Sequence, residues 1–462
     1  MAKRTPLLFI IGFMLLSTTA FAGSIDYLSN QSAEYLMTFS RNAATDAADA
    51  AIYNPAGLVF LPKDGLYVNA SVQYIARPYS EDFLGLRYEQ DEPDIIPNFF
   101  AVYKKDDLAA FFAVNTTAGG GKVKWADGNA VTTGLIARIA GISGDVVNSD
   151  DPGAGGTGAY TINEQWIEGS SIYTGIMAGL SYKINDRISL SLAPRYLIAK
   201  RSASAFLDFN MDAIDAASGN ETRAVMDVDF DYNARGLGGI FGLDIKPFGN
   251  LNLGIRYETV TKLVFHHSLN RRSAEVTGPF PELNAFLSEA LTGVLANLDK
   301  DGENIRYDLP ATLGVGVEFA ATPKLSLLSS FNYYFIENAV WDDEGVEEGT
   351  SLNSDYHNGW EASLGATYKI TPALKIGAGY IYTVAGEKRD AYNLINPGLD
   401  SHAGALGFTY SATPNLDVTL ALAQTWYISD SNYTEITGTS DKIDYKKRAT
   451  DIAAGIQYRF DL

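Results

Sequence analysis

The stretch WEASLGATYKI, Trp360 to Ile370, with the turn Thr371 to Ala373 and a second strand from Lys375 to Val384 behind it, decides the fold. Trp360, Ala362, Leu364, Ala366, Tyr368 and Ile370 form one continuous apolar face, and Glu361, Ser363, Gly365, Thr367 and Lys369 form the other. A period of two is that of a strand, and this split suits a strand standing between hydrocarbon and a polar interior. The C-terminal strand repeats it: Ile452, Ala454, Ile456, Tyr458 and Phe460 alternate with Asp451, Ala453, Gly455, Gln457 and Arg459.

Strands of a soluble sheet also alternate, so no single one is decisive. The whole series is. Strands are read at 66–75, 96–104, 108–116, 172–184, 188–206, 224–246 and 251–265, then at 306–319, 325–339, 357–370, 375–384, 402–412, 415–428 and 446–460. They number about fourteen, an even count as single-chain bacterial barrels require. Short junctions at 105–107, 185–186, 247–250, 320–324, 371–373 and 413–414 alternate with long ones, the longest near 117–171 and 266–305. Short turns mark the periplasmic side and long loops the exterior, so both termini are expected on the periplasmic side. Tyr182, Tyr257, Phe319, Tyr368, Tyr410 and Tyr458 near the turn-side ends suit an aromatic girdle. The expected fold is all-β, a transmembrane antiparallel β-barrel over residues 66–462. In the sixth strand Met226, Val228, Phe230 and Tyr232 share one parity and Leu237, Phe241, Leu243 and Ile245 the other, which predicts a bulge around Arg235 to Gly239.

Residues 1–22 read as a cleaved export signal: Lys3 and Arg4, an apolar run from Leu7 to Leu16, then Ala20-Phe21-Ala22. That run is too short to stay as a membrane helix. Residues 23–65 do not read as barrel. Ser32 to Ile52 is alanine-rich with spaced apolar positions, which suits one or two short helices, and Asn54-Pro55-Ala56-Gly57 follows as a tight corner in which Gly57 permits a reversal.

The run Ala50-Ala51-Ile52-Tyr53-Asn54-Pro55-Ala56-Gly57-Leu58, placed between an export signal and the first strand, resembles the hallmark of the outer-membrane long-chain fatty acid transporter (FadL) family. Ser40-Arg41-Asn42-Ala43-Ala44 looks like a family segment that often carries glycines, absent here. The resemblance implies a fourteen-stranded barrel whose residues 23–65 form a hatch inside the lumen. It further implies passive uptake of a hydrophobic small molecule, captured at extracellular loops, held inside the barrel and released sideways where the third strand kinks.

Candidate residues exist for each step. Glu282 to Leu298 reads as an amphipathic helix, with Leu283, Phe286, Leu287, Leu291, Val294 and Leu295 at three and four spacing and Phe280 just before it. Such a stripe either closes the loop onto the barrel or gathers ligand. Leu135, Ile136, Ile139 and Ile142 make a second apolar patch. Strand parity points Arg195 and Arg256 into the lumen, where either can grip a carboxylate through paired hydrogen bonds or sit in a structural ion pair with Glu258 or Asp46. The third strand ends in Thr117-Ala118-Gly119-Gly120-Gly121, a candidate interruption of the wall.

Composition narrows the alternatives. Without cysteine there is no disulfide, thiolate metal site or cysteine nucleophile. Fifty-five acidic against thirty-five basic residues, a net charge of -20, argue against nucleic-acid binding. Acidic loops beside lipopolysaccharide can hold divalent cations or simply be solvated. A mean hydropathy of -0.04 suits a barrel rather than a helical membrane protein. The four histidines, His266, His267, His357 and His402, lie at outer strand ends without a nucleophile or zinc motif, so a lipid hydrolase is disfavoured. Asp299 to Asn304 resembles a calcium loop, but its glycine comes too early. No cofactor and no metal is implied, a monomer in contact with outer-membrane lipid is expected, and a porin for polar solutes or an adhesion barrel are the competing functions.

Overall fold

The computed structural model describes residues 32–461 except 148–159, 213–214, 216–218, 297–301, 343–355, 390–391, 393, 435–436 and 438–439. The expected export signal at 1–22, the first part of the hatch, Leu298 and part of the calcium-like loop lie outside the described residues.

The wall is a closed antiparallel barrel of fourteen strands. In chain order the strands are β1 (Gly65–Ala76), β4 (Asp94–Lys105), β5 (Leu108–Trp125), β6 (Thr161–Asn185), β7 (Ile188–Asn210), β8 (Arg223–Phe248), β9 (Leu251–Glu258), β12 (Thr312–Ala320), β13 (Leu325–Tyr334), β14 (Gly359–Thr371), β15 (Leu374–Val384), β16 (Ser401–Thr413), β17 (Leu416–Tyr427) and β19 (Asp441–Phe460). β1 pairs with β19 from Leu66↔Phe460 to Ala76↔Thr450, which closes the cylinder and removes both sheet edges. Shorter strands β2 (Tyr79–Phe83), β3 (Leu86–Gln90), β10 (Val264–Thr277), β11 (Asn304–Arg306) and β18 (Asp430–Thr434) extend the wall on the long-loop side.

The expected alternation appears on the outside. Leu364, Tyr368 and Ile370 are exposed on β14, as are Ile452, Ile456, Tyr458 and Phe460 on β19, and all six girdle aromatics point outward. β8 departs from expectation. It pairs with β7 without a break from Ile188↔Ile245 to Asn210↔Arg223, so it holds no bulge at Arg235 to Gly239. Side-chain parity is constant and the surroundings change instead. Near the turns Leu237 and Phe241 face outward, whereas further out Met226, Val228, Phe230 and Tyr232 are buried inside and Asp227, Asp229 and Asp231 occupy the outer face. β8 has 26 residues, against the roughly 9–11 a strand needs to span the hydrocarbon. Its distal half therefore stands clear of the membrane, and there the wet and dry faces exchange.

The irregularity lies in the next two strands. The expected strand 251–265 breaks between β9 and β10, and the expected strand 306–319 breaks between β11 and β12. A single bridge, Thr261↔Leu309, spans the two breaks. The expected 325–339 strand stops at Tyr334 and ends in a short 3-10 turn, Ile336–Asn338.

Inside, the described hatch consists of α1 (Ala33–Thr38), α2 (Ala50–Tyr53) and a 3-10 turn, Pro55–Phe60. Ser32 caps α1 by accepting the Tyr35 N–H at 3.0 Å, and Phe39 ends it in the left-handed conformation with φ 55°. Two longer helices, α3 (Ala130–Val147) and α4 (Pro281–Ala296), belong to the two longest loops.

Candidate functional site

The hatch corner works by close approach. Gly57 has no unusual φ; what it lacks is a Cβ, which would lie 2.6 Å from the Ala44 carbonyl oxygen and clash with the Asn54 amide. That amide donates to the Ala44 carbonyl at 3.2 Å and to Asp244 of the wall at 2.5 Å. Ser181 and Ser189 donate to the carbonyls of Pro55 and Ala56 at 2.5 and 2.6 Å. Each residue of the Asn54-Pro55-Ala56-Gly57 motif is thus tied to β6, β7 or β8, or packed under another residue that is.

A second hub, which sequence reasoning did not single out, lies upstream. Arg41 grips Asp49 through Nε at 3.0 Å and Nη2 at 2.5 Å and reaches Asp46 at 2.7 Å. Lys375 of the wall binds the other oxygen of Asp46 at 2.9 Å, so Asp46 is not the partner of Arg195 or Arg256. Asn42 donates to Asn332 at 2.8 Å, and Gln457 accepts the Ala48 N–H at 2.7 Å. Wall glycines make room: a Cβ at Gly254 or Gly316 would collide with Asn42, and one at Gly379 with Thr38. The turn-side lumen is filled by a plug hydrogen-bonded around its circumference.

Above the plug lies a polar cavity lined by Tyr35, Tyr53, Thr117, Arg256, Glu258, Asn332, Tyr334 and Glu361 among others. Arg195 and Arg256 both point into the lumen and are buried, and they converge on one carboxylate. Arg195 Nη1 meets Glu258 at 2.5 Å, Arg256 Nε lies 3.2 Å from its second oxygen, and Arg256 also donates to the Ile52 carbonyl of the hatch. Tyr334 donates to Glu361 at 2.7 Å.

Beyond the cavity the interior turns apolar. Trp125, Ile136, Tyr173, Phe209, Phe230, Phe265, Trp341 and Tyr445 belong to one buried cluster. Arg201 is set into it, with Tyr173, Phe265 and Tyr307 around its guanidinium at 5.5, 4.2 and 4.3 Å. His267 is fully buried against Tyr232 and Phe230, inside the wall rather than at its surface. A small pocket between α3 and the wall is lined by Val131, Thr132, Leu135, Ala205, Leu207, Met226 and Val228.

α3 is docked by polar contacts at its start. Asn129 caps it, accepting N–H groups of Val131 and Thr132 at 3.1 and 3.3 Å, and Glu81 of β2 accepts the Ala130 N–H at 3.1 Å. Burial pushes the Glu81 carboxyl up to about 8. Leu135, Ile136 and Ile139 of this helix are buried, and the Ile142 side chain lies outside the described set. On α4, Leu287 and Leu291 are buried in the same apolar cluster, and Phe280, just before the helix, is exposed. Leu283, Phe286, Val294 and Leu295 lie on the same helix, with side chains outside the described set.

The wall's strand pairing lapses beside the cavity. β4 pairs with β1 along its whole length, from Lys104 to Asp94, but with β5 only from Lys105↔Leu108 to Phe99↔Val114. Farther out β5 makes two register breaks against β6, at Thr116/Ala118 and Ala118/Gly121, with Gly119 at φ 108° and Gly121 at φ 72°. Thr117, Ala118 and Gly119 are all buried, so the strand loses its alternation and bows into the lumen. The glycine run lies inside the third strand, which continues to Trp125 rather than ending at Thr116. Val114 pairs with Ile176, and Ile172 farther along β6 is still exposed, so the opening begins within the lipid-facing band. Pro97 of β4 stands at this level, a missed signal: proline brings no N–H to a ladder and is at home where pairing lapses.

A plugged outer-membrane barrel with a breach in its wall defines a class of transport protein rather than an enzyme. The chain belongs to the family described as outer membrane protein transport protein (OMPP1/FadL/TodX), whose model matches residues 13–461. It is 29% identical over 143 residues to outer membrane protein P1 of Haemophilus influenzae, a match covering 30% of this chain and only 31% of that protein. Solved structures share the fold. A Pseudomonas aeruginosa FadL homologue superposes with a TM-score of 0.64 at 17% identity, over 96% of this chain and 100% of its own. The P. putida toluene transporter TodX gives 0.59 at 14% over 92% and 100%. The Ralstonia pickettii toluene transporter TbuX gives 0.56 at 13% over 92% and 99%.

Proposed function

We propose that the protein is a passive channel for hydrophobic compounds, long-chain fatty acids or aromatic hydrocarbons, that enter at the apolar loop-side interior and leave sideways into the membrane. The observation that carries this reading is the lapse of β4–β5 pairing where Thr117 lines the lumen cavity. With the plug below, a solute in that cavity has the wall as its shortest way out. An apolar solute gains about 25 cal/mol per Å² on leaving water, so an exit into acyl chains avoids giving that back to the periplasm.

The pocket of Val131, Leu135, Leu207, Met226 and Val228 is the proposed capture site, with Phe280, Leu287 and Leu291 of the α4 region as part of its approach. Of the two candidate lumen cations, Arg256 is the better placed for a carboxylate headgroup because it lines the cavity; Arg195 serves to hold Glu258. A water-filled porin fits poorly with a plug bonded to so many strands. Deleting Ala118 to Gly120, which lets β5 zip to β4, tests the reading. Uptake of labelled oleate and toluene by expressing cells is expected to fall to background while the barrel still folds; unchanged uptake overturns lateral exit.

A further inference from the structure

We propose that Asp94 is the positioning residue that sets the outer limit of the wall opening, a role that rests on the reading of that opening as the exit. Seven residues of β5 (115–121) face four of β4 (95–98) between the Phe99↔Val114 pair and the point where the strands meet again, a surplus of three. They meet again through a side chain and not a ladder. The Asp94 carboxylate accepts the Lys122 N–H at 3.0 Å, and Arg77 at the end of β1 binds the same carboxylate and reaches the Lys122 carbonyl at 3.3 Å. Gln90 of β3 in turn donates to the Arg77 carbonyl at 2.9 Å. The clasp therefore joins β4 and β5 through the residue that follows β1, with β3 behind it, at the loop-side end of the lapse.

Gly121 is part of the same device. Its φ of 72° favours glycine, and a Cβ there would strike the Asp94 carboxylate. The carboxylate thus occupies the space that an ordinary strand residue would fill and presents one acceptor in place of a run of backbone bonds. A short side-chain staple can hold two strands at a fixed separation without zipping them, whereas a ladder would propagate toward Phe99 and shut the gap. Ile95, next to the clasp and 69% exposed, marks the lipid side of the same edge.

The test uses the natural absence of cysteine. Spin labels at Ile95→Cys and Lys124→Cys report the β4–β5 separation in folded protein in lipid vesicles, with no reference to transport. Asp94→Ala is expected to shift the label distance and broaden its distribution, Gly121→Ala to do the same by dislodging the carboxylate, and Asp94→Glu to retain more of the original distance than Asp94→Ala. A distance unchanged in both Asp94→Ala and Gly121→Ala overturns the proposal. Uptake is then compared for small and bulky hydrophobic solutes. A shifted distance with an altered bulky-to-small uptake ratio supports the role in full. A shifted distance with an unaltered ratio leaves Asp94 as the clasp but overturns its control of the exit, while lateral release stands or falls separately on the Ala118–Gly120 deletion.

Discussion

At Gly57 one missing methyl group decides how the hatch folds. Adding it places a carbon against the Ala44 carbonyl and the Asn54 amide, so Gly57→Ala must push Asn54 away from Asp244. Overpacking of this kind costs about 1–3 kcal/mol. The expected outcome is easier proteolytic nicking within residues 32–62 and a measurable rise in ion conductance of single barrels in planar bilayers. Glu81 gives a pH-dependent counterpart outside the membrane. Its folded value of about 8 stands above its ordinary 4.5, so folding favours the protonated form and docking of α3 weakens as pH rises through that window. Hydrogen exchange of α3 amides, corrected for intrinsic rate, should show protection falling between about 4.5 and about 8 in the natural protein and staying flat in Glu81→Gln.

Strands are where sequence reasoning succeeded and also where it erred, for one physical reason. Period-two patterning reports which side of a strand is dry, and for β14, and for β19 from Asp451 to Phe460, the dry side is lipid. In β8 the dry side is lipid below and the barrel interior above, so a change of environment produced the pattern that a bulge would produce. A single sequence does not show where the membrane stops. The lapse in the wall is half legible in the sequence: the glycines of β5 stand out, but Pro97 gains meaning only once its strand neighbour is known. The corner Asn54-Pro55-Ala56-Gly57 stands out in the sequence through its resemblance, whereas Arg41 and Asp49 meet only when the chain between them folds back. Position along a strand should set the cost of a charge. Leu364, 68% exposed in mid-strand, replaced by arginine should lose about 2–4 kcal/mol in reversible unfolding from lipid, an amount expected for a cation at the bilayer midplane. Asp229→Arg on the protruding part of β8 should lose far less, because water reaches that face.

For the whole molecule, the plug and the wall are one hydrogen-bonded body. Removing residues 23–62 deletes the partners of Asp244, Ser181, Ser189, Lys375 and Gln457 together. The barrel should still insert, since its ladder closes through β1 and β19 without the plug. Conductance in planar bilayers should then rise from near zero to that of an open pore, with loss of selective uptake. A plugless barrel that stayed electrically silent and took up substrate normally would assign the lumen's seal to the loops.

The protruding half of β8 bears on where a solute first escapes water. Because that part of the cylinder is polar outside and lined with aromatic and aliphatic side chains inside, hydrocarbon-like surroundings begin on the loop side of the lipid-facing band, above the acyl chains. On the proposed route the protein in effect raises a chimney of bilayer interior toward the water, so a water-shy molecule leaves water before it reaches the depth of the oil.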